Sequence, residues 1–305
     1  MGEVSVLVWS VGEVLWDVFP DEERFGGAPL NFCATMQRLG DRALLLSAVG
    51  SDERGRLALD RMRSLALSTE GIAVSHDLPT GIAIVGTSAE GEPAFVIPRP
   101  AAFDALSLDA TTFAKASVAG VDWLYFGTLI QTDAAMERGI AELVAQLAPV
   151  RCFYDMNLRT GQWNLPLVQR LSHLASILKL NEVEAQTLFE LTARDAGPFI
   201  LEAFCRSWAQ IYGIDVICVT LGPAGCLVYR QEEDAFTRAP GYKVTVRDTV
   251  GSGDAFAAAF LHGYTRNWSS IETASFANAL GALVASRAGA TPNWTTFEVQ
   301  ALMNL

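Results

Sequence analysis

Short apolar runs and longer mixed segments alternate along most of the chain. Residues 4–11, 43–49, 121–126, 152–154, 177–180 and 216–220 are apolar, largely β-branched or aromatic, and predict strands buried on both faces. The segments 28–39, 53–64, 133–147, 182–191 and 197–212 predict helices, the first closed by Gly40 where a left-handed residue is wanted. Repeated βα units of this kind imply a mostly parallel sheet with helices on both sides. The last third reads as helices alone, over 254–265, 271–287 and 295–303. Two segments break the rhythm: 13–25 and 81–97 show short alternating strands with turn residues such as TSAEGEP, and predict a small antiparallel patch. The expected fold class is therefore α/β, a three-layer sandwich around a mostly parallel central sheet. One domain is expected over 1–305, with a small β lid formed from about 13–27 and 81–100.

Composition narrows the function classes. Half of the 305 residues are hydrophobic and only 18% are charged, which suits a buried sheet and disfavours disorder. A net charge of −12 with no Lys/Arg run leaves no surface for counterion release, so nucleic acid and anionic membrane are excluded as partners. No stretch approaches the roughly 18 apolar residues of a membrane span. The acidic N-terminus MGEVSVLVWSVGEVLWDVF lacks the features of a signal peptide and reads as a first strand. Cys33, Cys152, Cys205, Cys218 and Cys226 form no CxxC pair and read as reduced core residues, which together with the absence of a signal makes a cytoplasmic location the expectation. His262, two turns beyond Asp254 on the same helix, reads as a packing residue.

The segment VRDTVGSGDAFAAAFLHGY, residues 246–264, carries the most specific chemistry. Backbone N–H groups at a Gly-rich turn opening a helix converge on one point, and the helix dipole adds partial positive charge there. Asp254 beside such an anion hole has two readings: a dipole-favoured first-turn residue, or a base taking the proton of a hydroxyl that attacks the bound anion. No GxxxxGK[ST] occurs, and Phe256 stands where a dinucleotide fingerprint needs a small residue.

Several ordered motifs together resemble the ribokinase-like (PfkB) sugar kinases. DTVGSGDAF resembles the family's C-terminal signature, and GGAPLNFCATMQRLG with AVGSDERG its N-terminal one. DMNLR at 155–159, KLNEVEA at 179–185, VTLGPAGCLVY at 219–229 and ANALGALVASRAGATP at 277–292 follow in the family's order. The resemblance spans nearly the whole chain and implies residue roles. Asp254 falls on the catalytic base and the backbone of Gly251, Ser252 and Gly253 on the anion hole, with Ser252 replacing the usual alanine. Sugar recognition falls on Asp17, Gly26, Gly27 and Asn31, with Arg99 and Arg159 as cations at the mouth of the site. Asn181 and Glu184 match the NxxE motif that organises Mg2+, typically through water, and an i, i+3 spacing would put them on one helical face. The adenosine side falls on Thr220, Gly222 and Gly225, with Asn278 on a helix lining the base. Asp248 and Thr249 lie where many relatives bind a K+-like ion.

The motifs GEVLWDVFP, GGAPLNF, DMNLR and KLNEVE look most like the fructokinase branch. The resemblance implies ATP-dependent transfer of the γ-phosphoryl group to a primary hydroxyl of a ketohexose such as fructose, with ATP and Mg2+ as cofactors and a homodimer through the lid. A 2-keto-3-deoxygluconate kinase is the alternative within the family, since Arg99 or Arg159 would serve the sugar acid's carboxylate. A catalytically silent sugar- or nucleotide-sensing protein is the alternative of another class, and Asp254 argues against it because a sensor has no use for a proton acceptor.

Overall fold

The structure, a computed structural model, describes residues 5–87, 93–193 and 197–304. Its strands are β1 (Leu7–Val11), β2 (Leu15–Val18), β3 (Glu23–Gly26), β4 (Arg42–Gly50), β5 (Ile72–Ser75), β6 (Gly81–Thr87), β7 (Pro93–Val96), β8 (Trp123–Gly127), β9 (Arg151–Asp155), β10 (Ile177–Asn181), β11 (Val216–Thr220), β12 (Cys226–Arg230) and β13 (Ala235–Ala239). The helices are α1 (Ala28–Arg38), α2 (Glu53–Ser64), α3 (Ala110–Ala119), α4 (Ala134–Gln146), α5 (Leu165–Ser172), α6 (Glu182–Thr192), α7 (Leu201–Tyr212), α8 (Ser252–Thr265), α9 (Ser270–Ala285) and α10 (Thr296–Met303).

Nine strands form the central sheet in the order β13-β12-β11-β10-β9-β8-β1-β4-β5. The pairings from β11 to β5 are parallel, and β12 alone runs against them, pairing antiparallel with both β11 and β13. Because side chains alternate across a strand, each continuous apolar run feeds two cores. Val8, Tyr125, Phe153, Ile177, Val216 and Val228 pack with α1, α2, α8, α9 and α10 on one face. Trp9, Phe126, Tyr154, Leu178, Ile217 and Tyr229 pack with α3 to α7 on the other. This is the expected three-layer α/β arrangement, and it explains why these strands show no polar alternation.

The two segments that broke the rhythm form a separate four-stranded sheet, β3-β2-β6-β7. Its two antiparallel pairs, β2–β3 and β6–β7, join through a parallel β2–β6 seam. Leu15, Ala83, Ile97, Ala101, Phe103 and Leu129 make a small apolar core beneath it. Residues 88–92 of the expected TSAEGEP turn lie outside the described residues. All five cysteines are buried and free, and among the described residues no helix is long and apolar enough to cross a membrane.

Candidate active site

In a parallel α/β sheet the loops at the carboxyl ends of the strands converge, and ligands bind there. Here those ends deliver Glu13 just after β1, Asp155 at the end of β9, Lys179 and Asn181 from β10 and Thr220 from β11. The small sheet adds Asp17 from β2, and α1 adds Asn31. Opposite them sits the N-terminus of α8. Glu13, Asp17, Gly27, Asn31, Arg159, Lys179, Asn181, Glu184, Thr220, Thr249, Gly251, Gly253 and Asp254 line one cavity of about 290 Å³.

The turn opening α8 is built as the sequence predicted. Gly251 is the N-cap with φ 79°, and a Cβ there would lie 2.3 Å from the Ala290 carbonyl oxygen. Both backbone conformation and space therefore demand glycine. One detail differs from the expected anion hole: the Ser252 N–H turns back to the Thr249 carbonyl at 3.2 Å, and its hydroxyl donates to the same oxygen at 2.7 Å. Among the described residues, the amides of Gly251, Gly253 and Asp254 have no protein acceptor, so they form the cradle and Ser252 fixes its shape.

On the sugar side, Gly27 has φ 119°, and a Cβ on it would come within 2.4 Å of the Glu13 carbonyl oxygen. Gly26 lets Asp17 approach, since its Cβ would stand 3.2 Å from the carboxylate. The Asn31 side-chain N–H donates to Asp254 Oδ2 at 2.8 Å, joining residues 223 positions apart. Its other atom, Oδ1, is buried with no hydrogen-bond partner. A buried acceptor left without a donor costs about 1–3 kcal/mol, and a hydroxyl-bearing ligand in this cavity would satisfy it.

The site is dense in carboxylates. Burial, followed by repulsion from Asp155, raises Asp254 from 3.8 to about 6 against the opposing pull of Asn31, Lys179 and Arg159. Burial likewise lifts Asp17 to about 6 and Glu13 to about 7. A carboxylate raised to about 6, as Asp254 is, stays mostly ionised at neutral pH yet takes a proton more readily than an ordinary one. Sequence reasoning missed Glu13, Asp155 and Lys179. Each is a lone charged residue in an otherwise apolar run, as in WSVGEVLW, CFYDM and ILKLN, and that interruption was the available signal.

Other expectations change. Asn181 is the N-cap of α6 rather than a residue on its face, and it forms a reciprocal capping box with Glu184. The Asn181 amide donates to Glu184 Oε2 at 2.8 Å and the Leu158 amide to Oε1 at 2.7 Å. Burial pushes the Glu184 carboxyl above its ordinary range despite these two amides. One carboxylate beside Asn181, with no cluster of three metal-binding side chains among the described residues, fits an ion that arrives on substrate phosphates.

Arg99 turns away from the site: its guanidinium forks onto Asp104 and donates to the Leu129 carbonyl at 2.7 Å. The physical reason is the small core beneath the four-stranded sheet, where Arg99 lies over the Phe103 ring and meets Asp104. Asp248 is likewise engaged, its Oδ1 by the Val250 amide and its Oδ2 by the Gly289 amide and the guanidinium of Arg24. An arginine thus supplies the positive charge there that the resemblance assigns to a monovalent ion.

On the adenosine side, Thr220 and Gly222 line a neighbouring cavity of about 780 Å³ that shares Asn181, Glu184 and Thr220 with the first. Gly225 permits close chain approach, since a Cβ would lie 2.1 Å from the Ala239 carbonyl oxygen. Asn278 spends its amide N–H groups on the carbonyls of Ala239 and Pro240, both at 3.1 Å. These bonds tie α9 to the end of β13, and the N–H groups of Asn278 are committed there. His262 packs on Trp268 and Phe276 and bonds Asp41 at 2.6 Å.

Comparison with known proteins bears on the family and the fold. Residues 10–296 match the model of the pfkB family carbohydrate kinases. Fructokinase-1 of Oryza sativa subsp. japonica is 30% identical over 328 residues, covering 98% of this chain and 97% of the relative. The crystal structure of a Xylella fastidiosa fructokinase with bound ATP superposes with a TM-score of 0.84 at 23% identity, covering 98% of each chain. That of aminoimidazole riboside kinase from Salmonella enterica, complexed with aminoimidazole riboside and an ATP analogue, reaches 0.79 at 23% identity, covering 97% of this chain and 99% of that one. With a family match over nearly its full length, the chain belongs to the pfkB family of carbohydrate kinases, phosphotransferases whose acceptor is a sugar hydroxyl.

Proposed function

We propose that this protein transfers the γ-phosphoryl group of ATP to the primary hydroxyl of a ketohexose, most simply fructose. The observation that carries the reading is the placement of Asp254, partly buried between three unbonded amides and a cavity lined by Asn31, whose side-chain oxygen lacks a donor. In this reading Asp17, Asn31 and the backbone at Gly26 and Gly27 hold the sugar hydroxyls. Asp254 accepts the proton of the attacking hydroxyl, and the amides of Gly251, Gly253 and Asp254 steady the moving phosphoryl group. Arg159, which faces Glu13, Asp17 and Asp254, balances their charge when substrate enters. The nucleotide lies along Thr220 and Gly222, and Asn181 with Glu184 would hold Mg2+ through water, an ion that neutralises phosphate charge.

Fructose is supported by the fructokinase relatives and by the charge of the cavity. Glu13, Asp17, Glu184 and Asp254 face it against Arg159 and Lys179, and Lys179 is paired with Asp155. Such a surplus of carboxylates favours a neutral sugar over 2-keto-3-deoxygluconate, whose carboxylate would need a cation to spare. Closure of residues 13–27 and 81–100 over the sugar belongs to the same reading, as does a homodimer through the outer face of that sheet, where the cross-strand partners Ile84 and Val96 are exposed. An ADP-release screen across fructose, other ketoses, 2-keto-3-deoxygluconate, ribose and adenosine tests it. Preference for fructose is the expected result, and preference for the sugar acid or a nucleoside would overturn it.

A further inference from the structure

Directly beneath the cradle lies an ion pair that the phosphoryl-transfer scheme above leaves without a task. Lys179 and Asp155 are cross-strand partners in the parallel β9–β10 register. The ammonium donates to both carboxylate oxygens, at 2.9 and 3.0 Å. Tyr125, stacked on Phe32 at 3.8 Å, donates its hydroxyl to Asp155 Oδ2 at 3.0 Å. Only 10% of the Lys179 side chain and 1% of the Asp155 side chain are exposed. Withdrawing such a pair from water costs more than its attraction commonly returns, and an apolar pair of the same volume would serve the fold at least as well.

Its position suggests what the charge does. A Cβ on Gly253 would stand 3.3 Å from Lys179 Nζ, so the ammonium lies beside the turn that forms the cradle. Lys179 also lines the cavity that holds Asp254. Of its three N–H donors the bonds to Asp155 use two, which leaves one for an oxygen in the cavity.

We propose that Asp155 and Lys179 are an electrostatic positioning pair for the transfer: Asp155 pins the ammonium at the floor of the cradle, where it steadies the phosphoryl oxygens and the ionised form of Asp254. The proposal rests on Asp254 being the base. Asp254 is faced by Glu13 and Asp17 from the β1–β2 side, Tyr125 from β8, Asp155 from β9, Arg159 from the following loop and Lys179 from β10, while Glu184 of α6 lines the same cavity. Of these, Asp155 is the largest repulsive partner of Asp254 and Lys179 an attractive one, so the two members of the pair act on it with opposite sign.

The test is the pH dependence of kcat/KM in the full-length protein with ATP, Mg2+ and the preferred sugar. Lys179→Met is expected to lower kcat roughly 10- to 1000-fold and to move the acid limb to higher pH, whereas Asp155→Asn moves it to lower pH. The double variant Lys179→Met/Asp155→Asn, which leaves no unpaired charge, is expected to fold, to return the limb toward that of the parent protein and to keep the low kcat. Limbs that shift in the same direction in both single variants, or a double variant with parental kcat, would overturn the proposal. An acid limb that persists unchanged in Asp254→Asn refutes the base assignment itself, a result separate from either of those.

Discussion

Replacing Asp254 with Asn removes one negative charge from a partly buried site while preserving shape and the acceptor that Asn31 bonds at 2.8 Å. Two consequences with opposite signs follow. Burial and Asp155 raise the carboxyl from 3.8 to about 6, so the folded state prefers the protonated form. That preference contributes stability fully below about pH 4 and loses it as pH rises through about 6. Near pH 8 the ionised group therefore costs about 2–3 kcal/mol relative to its unfolded form, and the neutral amide removes that cost. The variant is expected to melt several degrees higher than the parent protein at pH 8, with the gap closing below pH 4.5. Turnover is expected to fall on the order of 10² to 10⁴-fold from lost base catalysis, with nucleotide binding retained. Thermal melts at both pH values and a coupled ADP-release assay on one preparation measure both effects. Turnover within ten-fold of the parent would refute the base assignment, and lower stability at pH 8 would refute the assignment of a partly buried, destabilising charge.

Three further outcomes are expected. Gly251→Ala forces a Cβ to within 2.3 Å of the Ala290 carbonyl oxygen at φ 79°, so it should destabilise the fold by about 1–3 kcal/mol and depress kcat more than it raises KM, as read by denaturant unfolding and steady-state kinetics. Arg99→Ala strands the nearly buried Asp104 and should cost about 3 kcal/mol of stability while the KM for sugar stays within two-fold; a large rise in KM would return Arg99 to the substrate site. Because Arg24 already neutralises Asp248, replacing K+ by tetramethylammonium at constant ionic strength should leave turnover unchanged, and loss of activity would show that a monovalent ion is required.

Local pattern made much of this molecule legible. The apolar runs at 177–180 and 216–220 became β10 and β11 because a doubly covered sheet demands uninterrupted hydrophobicity, and the glycines at 251 and 253 marked the opening of α8. Elements with weaker patterns escaped. The helices α3 and α5 are short, and the β12–β13 hairpin follows a motif, TLGPAG, that reads as a loop. Side-chain commitments set by three-dimensional proximity were also out of reach. Arg99 reads as a mouth cation until the chain brings it to Asp104, and Asn278 as a residue lining the base until β13 ends beside it at Ala239. Asn31 and Asp254 are linked only because α1 and α8 pack together on one face of the sheet. The NxxE spacing suggested a shared helical face, yet Asn181 stops one residue short of α6 and caps it instead.

The central claim is that Asp254 receives the acceptor's proton beside the amide cradle. A structure of the protein with a non-hydrolysable ATP analogue and a ketohexose measures this directly. The account predicts a primary hydroxyl within about 3 Å of an Asp254 carboxylate oxygen, with a γ-phosphoryl oxygen facing the amides of Gly251, Gly253 and Asp254. A closed complex in which that hydroxyl lies beyond hydrogen-bonding reach of Asp254, even through one water, would contradict it.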